Sequence, residues 1–354
     1  MKAWVLHGIG DIRFEEVEEP DLKEREVLIQ VRAAGICGSD IPRIYQNGAY
    51  RHPLIPGHEF SGVVVKTGID ADTDLKGKRV GVFPLIPCRE CPPCSRKQYE
   101  MCRNYSYLGS RRDGGFAEFV AVPAENLIRL PDHVSFEAAA MMEPMAVAVH
   151  AMRRISPCVF DRIVICGAGT IGMLLFLFLR EAGMRDIFVF GNKDFQKQTL
   201  LRLGLQEDAY CDIREGDTTR WLMERTNGLG ADVFFECVGR NETLTQALSQ
   251  TSFSGRIMLV GNPIGEMNLE KSVYWKILRD QMTVMGTWNS SFTNDPGDDW
   301  HYVMTRLEQK RIAPEELITH RLLPEQLELG FHIMRDKTED YIKVIGVCSA
   351  ENTL

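Results

Sequence analysis

Cys88, Cys91, Cys94 and Cys102 stand in the pattern C-x2-C-x2-C-x7-C, four thiols within fifteen residues. Four thiolates at that spacing can close a tetrahedron around one zinc ion, and a full shell of sulfur leaves no position open for chemistry. The run PCRECPPCSRKQYEMC is rich in proline and charge, so it reads as a loop held by metal rather than by a core. Two disulfides of a secreted protein are the competing reading, and nothing else in the chain looks secreted. A second set of donors is dispersed: Cys37 in AGICGSD, His58 and Glu59 in IPGHEFSG, and Glu143 in MMEPMAV. A catalytic zinc takes about three protein ligands and keeps one position for water or substrate, and Cys, His and Glu are suitable types. Alone, a Cys-Gly or His-Glu pair is usually structural. The order of these segments around a four-cysteine loop, ahead of a nucleotide motif, favours the metal reading.

That motif is Gly167-Ala168-Gly169-Thr170-Ile171-Gly172, which follows the apolar run DRIVIC and opens a helical pattern. In this context the first glycine permits a tight turn, the second lets backbone approach a pyrophosphate, and the third lets helix and strand pack closely. The phosphates then sit at a helix N-terminus, where free N–H groups favour anions. A glycine-rich turn used only for packing is the plainer alternative. An NAD site wants Asp or Glu at the end of the second strand to bind the ribose 2'-hydroxyl. Here the sequence reads Phe190-Gly191-Asn192-Lys193-Asp194. Gly191 stands where the acid is expected, Asn192 and Lys193 can donate hydrogen bonds, and Lys197 is near. NADP is therefore expected ahead of NAD, on charge alone.

The elements that must position these residues fall into two patterns. Up to about residue 130 the chain offers short β segments broken by Gly and Pro, such as VLIQVRAAG, FSGVVVKTG, KRVGVFP and FAEFVAVP. These predict a β-rich, barrel-like domain. From Asp161 strands and helices alternate, with strands DRIVICG, DIFVFG, AYCD, DVFFECVG and GRIMLVG. Near-continuous apolar strands in alternation with helices predict a parallel sheet covered on both faces. After about residue 285 a helix, DDWHYVMTRLEQK, and a strand, YIKVIGVCS, are expected to return to the first domain.

With 354 residues, 44% hydrophobic and 25% charged, the composition is that of a globular protein of two domains. A net charge of −8 without a basic block argues against nucleic acid or an anionic membrane as partner. The start lacks a basic n-region and an apolar h-region, so no secretory leader is expected, and no run is apolar enough to span a bilayer. Ten cysteines fit a reducing, cytoplasmic setting.

The set GICGSD, PGHEFSGVV, the four-cysteine loop, GSRRDGGFAEF, EPMAVAVHA and GAGTIG resembles the zinc-containing medium-chain alcohol and polyol dehydrogenases, along essentially the whole chain. Within that family CGSDIPRI, PLIPC and GSRRDGGFAEF are most similar to the galactitol phosphate branch. The resemblance implies an α/β protein. Its parts are a GroES-like β-rich catalytic domain over 1–149 and 288–354, with the zinc lobe at 88–102, and a Rossmann domain with a doubly wound parallel sheet over 150–287. It implies two zinc ions per chain and a nicotinamide cofactor, NADP or NAD. Cys37 and His58 match the first two catalytic zinc ligands. Glu59 and Glu143 match the two carboxylates found at this metal in polyol-type members, and either, or both through exchange with water, binds. Ser39 matches the hydroxyl that relays a proton from the alcohol, and Asp40 an outer group behind the ligands.

Two departures stand out. Pro42 replaces a frequent relay histidine, so proton release is left to water or to another route from the nicotinamide ribose. Asn289 stands where sorbitol dehydrogenase carries an arginine, which makes plain sorbitol a poorer substrate. The expected substrate is a secondary alcohol of a polyol phosphate, or the matching ketose phosphate. Arg43, Arg111 and Arg112 are candidate phosphate ligands, because guanidinium forks match phosphate oxygens; surface ion pairs would explain them equally. An unphosphorylated polyol, an amino alcohol such as threonine, a pentulose phosphate, and a non-catalytic dinucleotide-binding protein are the alternatives. A homodimer or homotetramer is expected from the family.

Overall fold

In the computed structural model, which describes residues 1–348, the run EVLIQVRAAGI forms the long strand Glu26–Ile36 at the centre of a seven-stranded sheet. Its residues are buried at nine of eleven positions, so neighbours cover it on both sides and its register is strongly specified. It pairs antiparallel with Glu59–Thr67, with Phe119–Pro123 and with Lys343–Val347. Beyond these lie Arg79–Val82 and Leu127–Arg129 on one side and Ile318–Leu322 on the other. Ile29, Ile36, Phe60, Val64, Val80, Phe116, Phe331 and Val344 lie in one core between these elements. The returning tail thus supplies a strand of this sheet, and the helix Leu327–Asp336 packs Phe331 under it. These elements make one unit, Met1–Ala146 with the chain from Ser290 onward; the other is Val147–Asn289.

The second unit is a six-stranded, all-parallel sheet. Its spatial order is Tyr210–Asp212, Ile187–Gly191, Ile163–Cys166, Ala231–Glu236, Thr251–Leu259, Thr283–Gly286. In chain order that is 3-2-1-4-5-6, the doubly wound Rossmann arrangement, which places a crevice at the carboxyl end of the first strand. Ile163–Cys166 is buried at every position, as a central parallel strand must be. The sixth strand, TVMG, is mostly exposed and escapes apolar pattern reading. No helix among the described residues is long and apolar enough to cross a membrane.

Candidate active site

Sheet register brings the dispersed donors together. Gly35 lies opposite Glu59, and Ile36 lies opposite Val344. Cys37 therefore leaves the central strand beside Glu59 on one neighbour and Lys343 on the other. The ligand atoms of Cys37, His58 and Glu59 all lie within 4.8 Å of one another. Gly35 is required here for space: a Cβ on it would stand 2.4 Å from Glu59 Oε2 and 2.8 Å from Lys343 Cε. Lys343, fully inside the protein, donates to Ile36 O at 3.0 Å and pairs with Glu59 Oε2. Burial works against its charge, but Glu59 and Cys37 outweigh that and raise its pKa.

A short helical turn, Asp40–Pro42, follows Cys37 and buries Asp40 completely. Asp40 accepts from Cys37 N at 3.0 Å, pairs with Arg43, and faces His58 Nδ1 at 3.4 Å. Burial disfavours the imidazolium, yet Asp40 and Cys37 raise His58 well above its ordinary value. The pocket is thus made to hold positive charge at its centre, which the donor set shares with a zinc site of three ligands and an open position. Ser39 Oγ lies 3.3 Å from Cys37 Sγ. Glu143, at the start of the helix Met142–Ile155, stands outside the trio and accepts from Tyr107 OH at 3.1 Å. Burial, reinforced by Glu59 and partly offset by His58, pushes its carboxyl up to about 7. Neither Lys343 nor Tyr107 was singled out by sequence reasoning. Lys343 lies inside an apolar strand pattern, where a lone lysine signals a buried partner.

The four-cysteine loop folds around the short helix Pro92–Ser95. Its sulfurs are separated by 4.0 Å (Cys88–Cys94), 3.5 Å (Cys91–Cys94) and 3.9 Å (Cys91–Cys102). The edge of a tetrahedron with Zn–S bonds of about 2.3 Å is about 3.8 Å, so the set fits a closed zinc site and not a pair of disulfides. Burial pushes the Cys94 thiol up to about 12, while backbone N–H groups of Arg103 and Cys94 draw Cys91 down to about 6. Only a cation would hold all four as thiolates.

In the second unit, Gly167 has φ 108°, and a Cβ there would meet Val238. A Cβ on Gly172 would stand 1.9 Å from Gly167 O, so the third glycine is fixed by helix-to-turn packing. Gly169 alone faces open space, where a pyrophosphate could approach. Thr170 and Ile171 then start the helix Thr170–Glu181, whose cap, Gly169, carries no side-chain acceptor.

Gly191 does not leave a vacancy. Tyr210 OH would stand 2.3 Å from a Cβ on Gly191, and that hydroxyl donates to Lys193 O at 3.4 Å. Gly191 therefore opens no space for a 2'-phosphate: Tyr210 takes it, and what remains of the expectation is the absence of an acid. Asn192 is exposed, and Lys193 caps the helix Asp194–Arg202. Asp194 is paired with Arg214, which also holds Asp212. Arg214 was missed because it follows the third strand; the pairing of Gly191 with Asp212 carries it to this turn.

The candidate substrate residues are placed unequally. Arg43 is bound to Asp40, and Arg112 pairs with Glu26 at 2.7 Å. Arg111 lies over the rings of Tyr50 and Tyr105. Asn289 has a left-handed φ of 53° just after the sixth strand of the second unit, a conformation Asn tolerates better than most residues.

A β-rich unit with a Cys-His-Glu pocket and a zinc-type lobe, and a Rossmann unit with an open glycine turn, define a zinc- and nicotinamide-dependent alcohol dehydrogenase. Family models agree: residues 23–132 match the alcohol dehydrogenase GroES-like domain, and residues 170–309 match the zinc-binding dehydrogenase domain. Galactitol 1-phosphate 5-dehydrogenase of Escherichia coli K12 is 32% identical, over 91% of this chain and 92% of that protein. L-idonate 5-dehydrogenase of Vitis vinifera is 30% identical, over 93% of this chain and 89% of that protein. The crystal structure of the Escherichia coli galactitol-1-phosphate dehydrogenase has a TM-score of 0.91 at 30% identity, covering 98% of this chain and all of that one. Two structures at 25% identity, each covering 98% of this chain, carry different cofactors. A zinc-binding dehydrogenase of Sinorhizobium meliloti is bound to NADP (TM-score 0.89, 98% of that chain), and an alcohol dehydrogenase of Escherichia coli CFT073 is complexed with NADH (0.90, 99%). The chain belongs to the zinc-type medium-chain alcohol dehydrogenase family.

Proposed function

We propose that this dehydrogenase oxidises a secondary alcohol of a polyol phosphate of the galactitol 1-phosphate kind, or reduces the matching ketose phosphate. The observation that carries the chemistry is the trio of half-buried Cys37 with buried His58 and Glu59, whose ligand atoms converge. Cys37, His58 and Glu59 would hold a zinc ion, and the Lewis acid so supplied would lower the pKa of the substrate alcohol or, in reverse, polarise the ketone. Asp40 faces His58 with its charge across 3.4 Å, and Lys343 pairs with one oxygen of Glu59. Glu143, held by Tyr107, is the second carboxylate able to exchange with Glu59. Ser39 is the group that takes the substrate hydroxyl proton, and Pro42 denies it the usual histidine. The phosphate rests on the likeness to the galactitol 1-phosphate enzymes.

Three further points belong to this reading. The lobe holds a second, structural zinc. NADP is favoured over NAD, since Gly191 supplies no acid at the usual position and Lys193 stands at that turn, while Arg214 there is held by Asp194 and Asp212. The protein is cytoplasmic and a homo-oligomer. All ten cysteines are unpaired, which supports a reducing compartment, and the exposed Tyr274, Trp275 and Leu278, on the helix Lys271–Arg279 that precedes the edge strand Thr283–Gly286, support self-association. The test is a panel of galactitol 1-phosphate, galactitol, sorbitol, L-idonate and threonine, each with NAD and NADP. The phosphate ester is expected to give the highest kcat/KM. Equal or faster turnover of sorbitol or threonine would replace this reading with the unphosphorylated one.

A further inference from the structure

Three arginines were candidates to receive a charged end of the substrate, and the structure separates them. Arg43 and Arg112 spend their charge on Asp40 and Glu26. The neighbouring Arg51 pairs with Asp113. Arg111 has no carboxylate partner among the described residues. Its guanidinium carbon lies 3.9 Å from the ring centre of Tyr50 and 4.7 Å from that of Tyr105, and its Nε–H is buried without an acceptor. A buried N–H left without an acceptor is costly unless something completes it.

Arg111 is tied to the metal pocket by backbone. Gly114 N, Gly115 N and Phe116 N donate to Ile55 O, Gly57 O and Pro56 O, the residues immediately before His58. Gly109 and Gly114 allow this approach, because a Cβ on either would lie within 2.5 Å of Gly57 O. Arg111 N donates to Tyr107 O at 2.9 Å, and the Tyr107 ring is 5.7 Å from His58 and 6.3 Å from Tyr105. A cation fixed between aromatic faces thus stands one aromatic ring beyond the residues that line the reacting centre.

The geometry points to Arg111, framed by Tyr50 and Tyr105, as the seat of an anionic terminal group on the substrate, a phosphate monoester in the first instance. The inference rests on the polyol phosphate reading and narrows it to one residue. The two rings hold the guanidinium flat and leave its edge donors to fork onto oxygen. Since the charged group is remote from the carbon that loses hydride, the contact is made equally in ground and transition states, and its loss raises KM rather than lowering kcat.

The test compares wild type with Arg111→Gln, Arg111→Lys and Arg112→Gln, all as zinc-loaded enzyme with saturating dinucleotide. The readouts are the ratio of kcat/KM for galactitol 1-phosphate to that for galactitol, and the competitive inhibition constant of inorganic phosphate. Arg111→Gln is expected to lower the ratio roughly 10- to 100-fold through KM and to weaken phosphate inhibition equally. Arg111→Lys should recover part of both, and Arg112→Gln neither lose nor gain. If wild type prefers the carboxylate of L-idonate and Arg111→Gln removes that preference, the seat stands and the phosphate reading falls. If wild type prefers the phosphate ester and Arg111→Gln keeps both the preference and the inhibition, the seat is wrong while the reading stands. Absence of phosphate inhibition in wild type at tens of millimolar overturns the seat as well.

Discussion

At the scale of single residues, the pocket is built from pairs in which one member is a proposed ligand and the other a buried polar partner. His58 has Asp40, Glu59 has Lys343, and Glu143 has Tyr107. Cys37→Ser is expected to lose catalytic zinc and turnover with little change in melting temperature, because Cys37 stands at a strand end rather than in the core. Metal analysis beside a melting curve checks it; retained zinc at wild-type stoichiometry contradicts the ligand role. Arg112 provides a pH-dependent case. Burial favours the neutral form of Glu26, but Arg112 and the N–H of Lys23 outweigh it and hold Glu26 below its ordinary 4.5. With the folded value the lower one, this stabilisation is complete above about pH 4.5 and fades as pH falls through the folded value. Arg112→Gln should therefore be about 1–3 kcal/mol less stable at neutral pH, with the gap closing on acidification. A gap that stays constant between about pH 6 and 3 in denaturant titrations would exclude the pairing as its cause. The candidate ligands were legible in the sequence through their order around the four-cysteine loop and ahead of the glycine motif, since each pair alone is usually structural. Their partners were not, since Lys343, Tyr107 and Arg214 arrive through strand register, which no local pattern carries.

The elements explain why certain glycines are fixed. Gly191 was readable as a missing acid, but its packing against Tyr210 depends on a neighbouring strand and was hidden. Gly191→Asp consequently adds a clash to a charge. It is expected to cost about 1–3 kcal/mol of stability by overpacking, and Gly191→Asp combined with Tyr210→Phe should regain part of it. Thermal melts of the single and double variants decide this; a single variant as stable as wild type would show that Tyr210 moves freely. Gly35 makes a stronger demand, with Glu59 and Lys343 both inside the reach of a Cβ. Gly35→Ala should separate that pair and weaken metal binding at the catalytic site while the lobe keeps its ion. The first five strands of the parallel sheet in chain order were legible as apolar runs, whereas the sixth, Thr283–Gly286, is exposed and carries no such run. The β-rich unit was legible as a class through its turn density; its seven-strand order was not, because pairing between residues about 300 apart leaves no local trace.

For the whole molecule, exposed apolar side chains gather at one sheet edge. Trp275 is 52% exposed and Trp288 is 55% exposed, on either side in sequence of the strand Thr283–Gly286, whose outer edge is unpaired among the described residues. Sedimentation should show a dimer or tetramer, and Trp275→Glu should shift it toward monomer; a monomeric wild type at micromolar concentration removes the oligomer from the account. The central claim is that one metal site is closed and structural while the other is open and catalytic. It is tested most directly by counting zinc during mild chelation while following activity and melting temperature together. The account predicts a start at two zinc per chain, loss of the first ion with loss of turnover at nearly unchanged melting temperature, and loss of the second only with collapse of the lobe. Full turnover in protein that holds a single zinc, bound by Cys88, Cys91, Cys94 and Cys102, would contradict it.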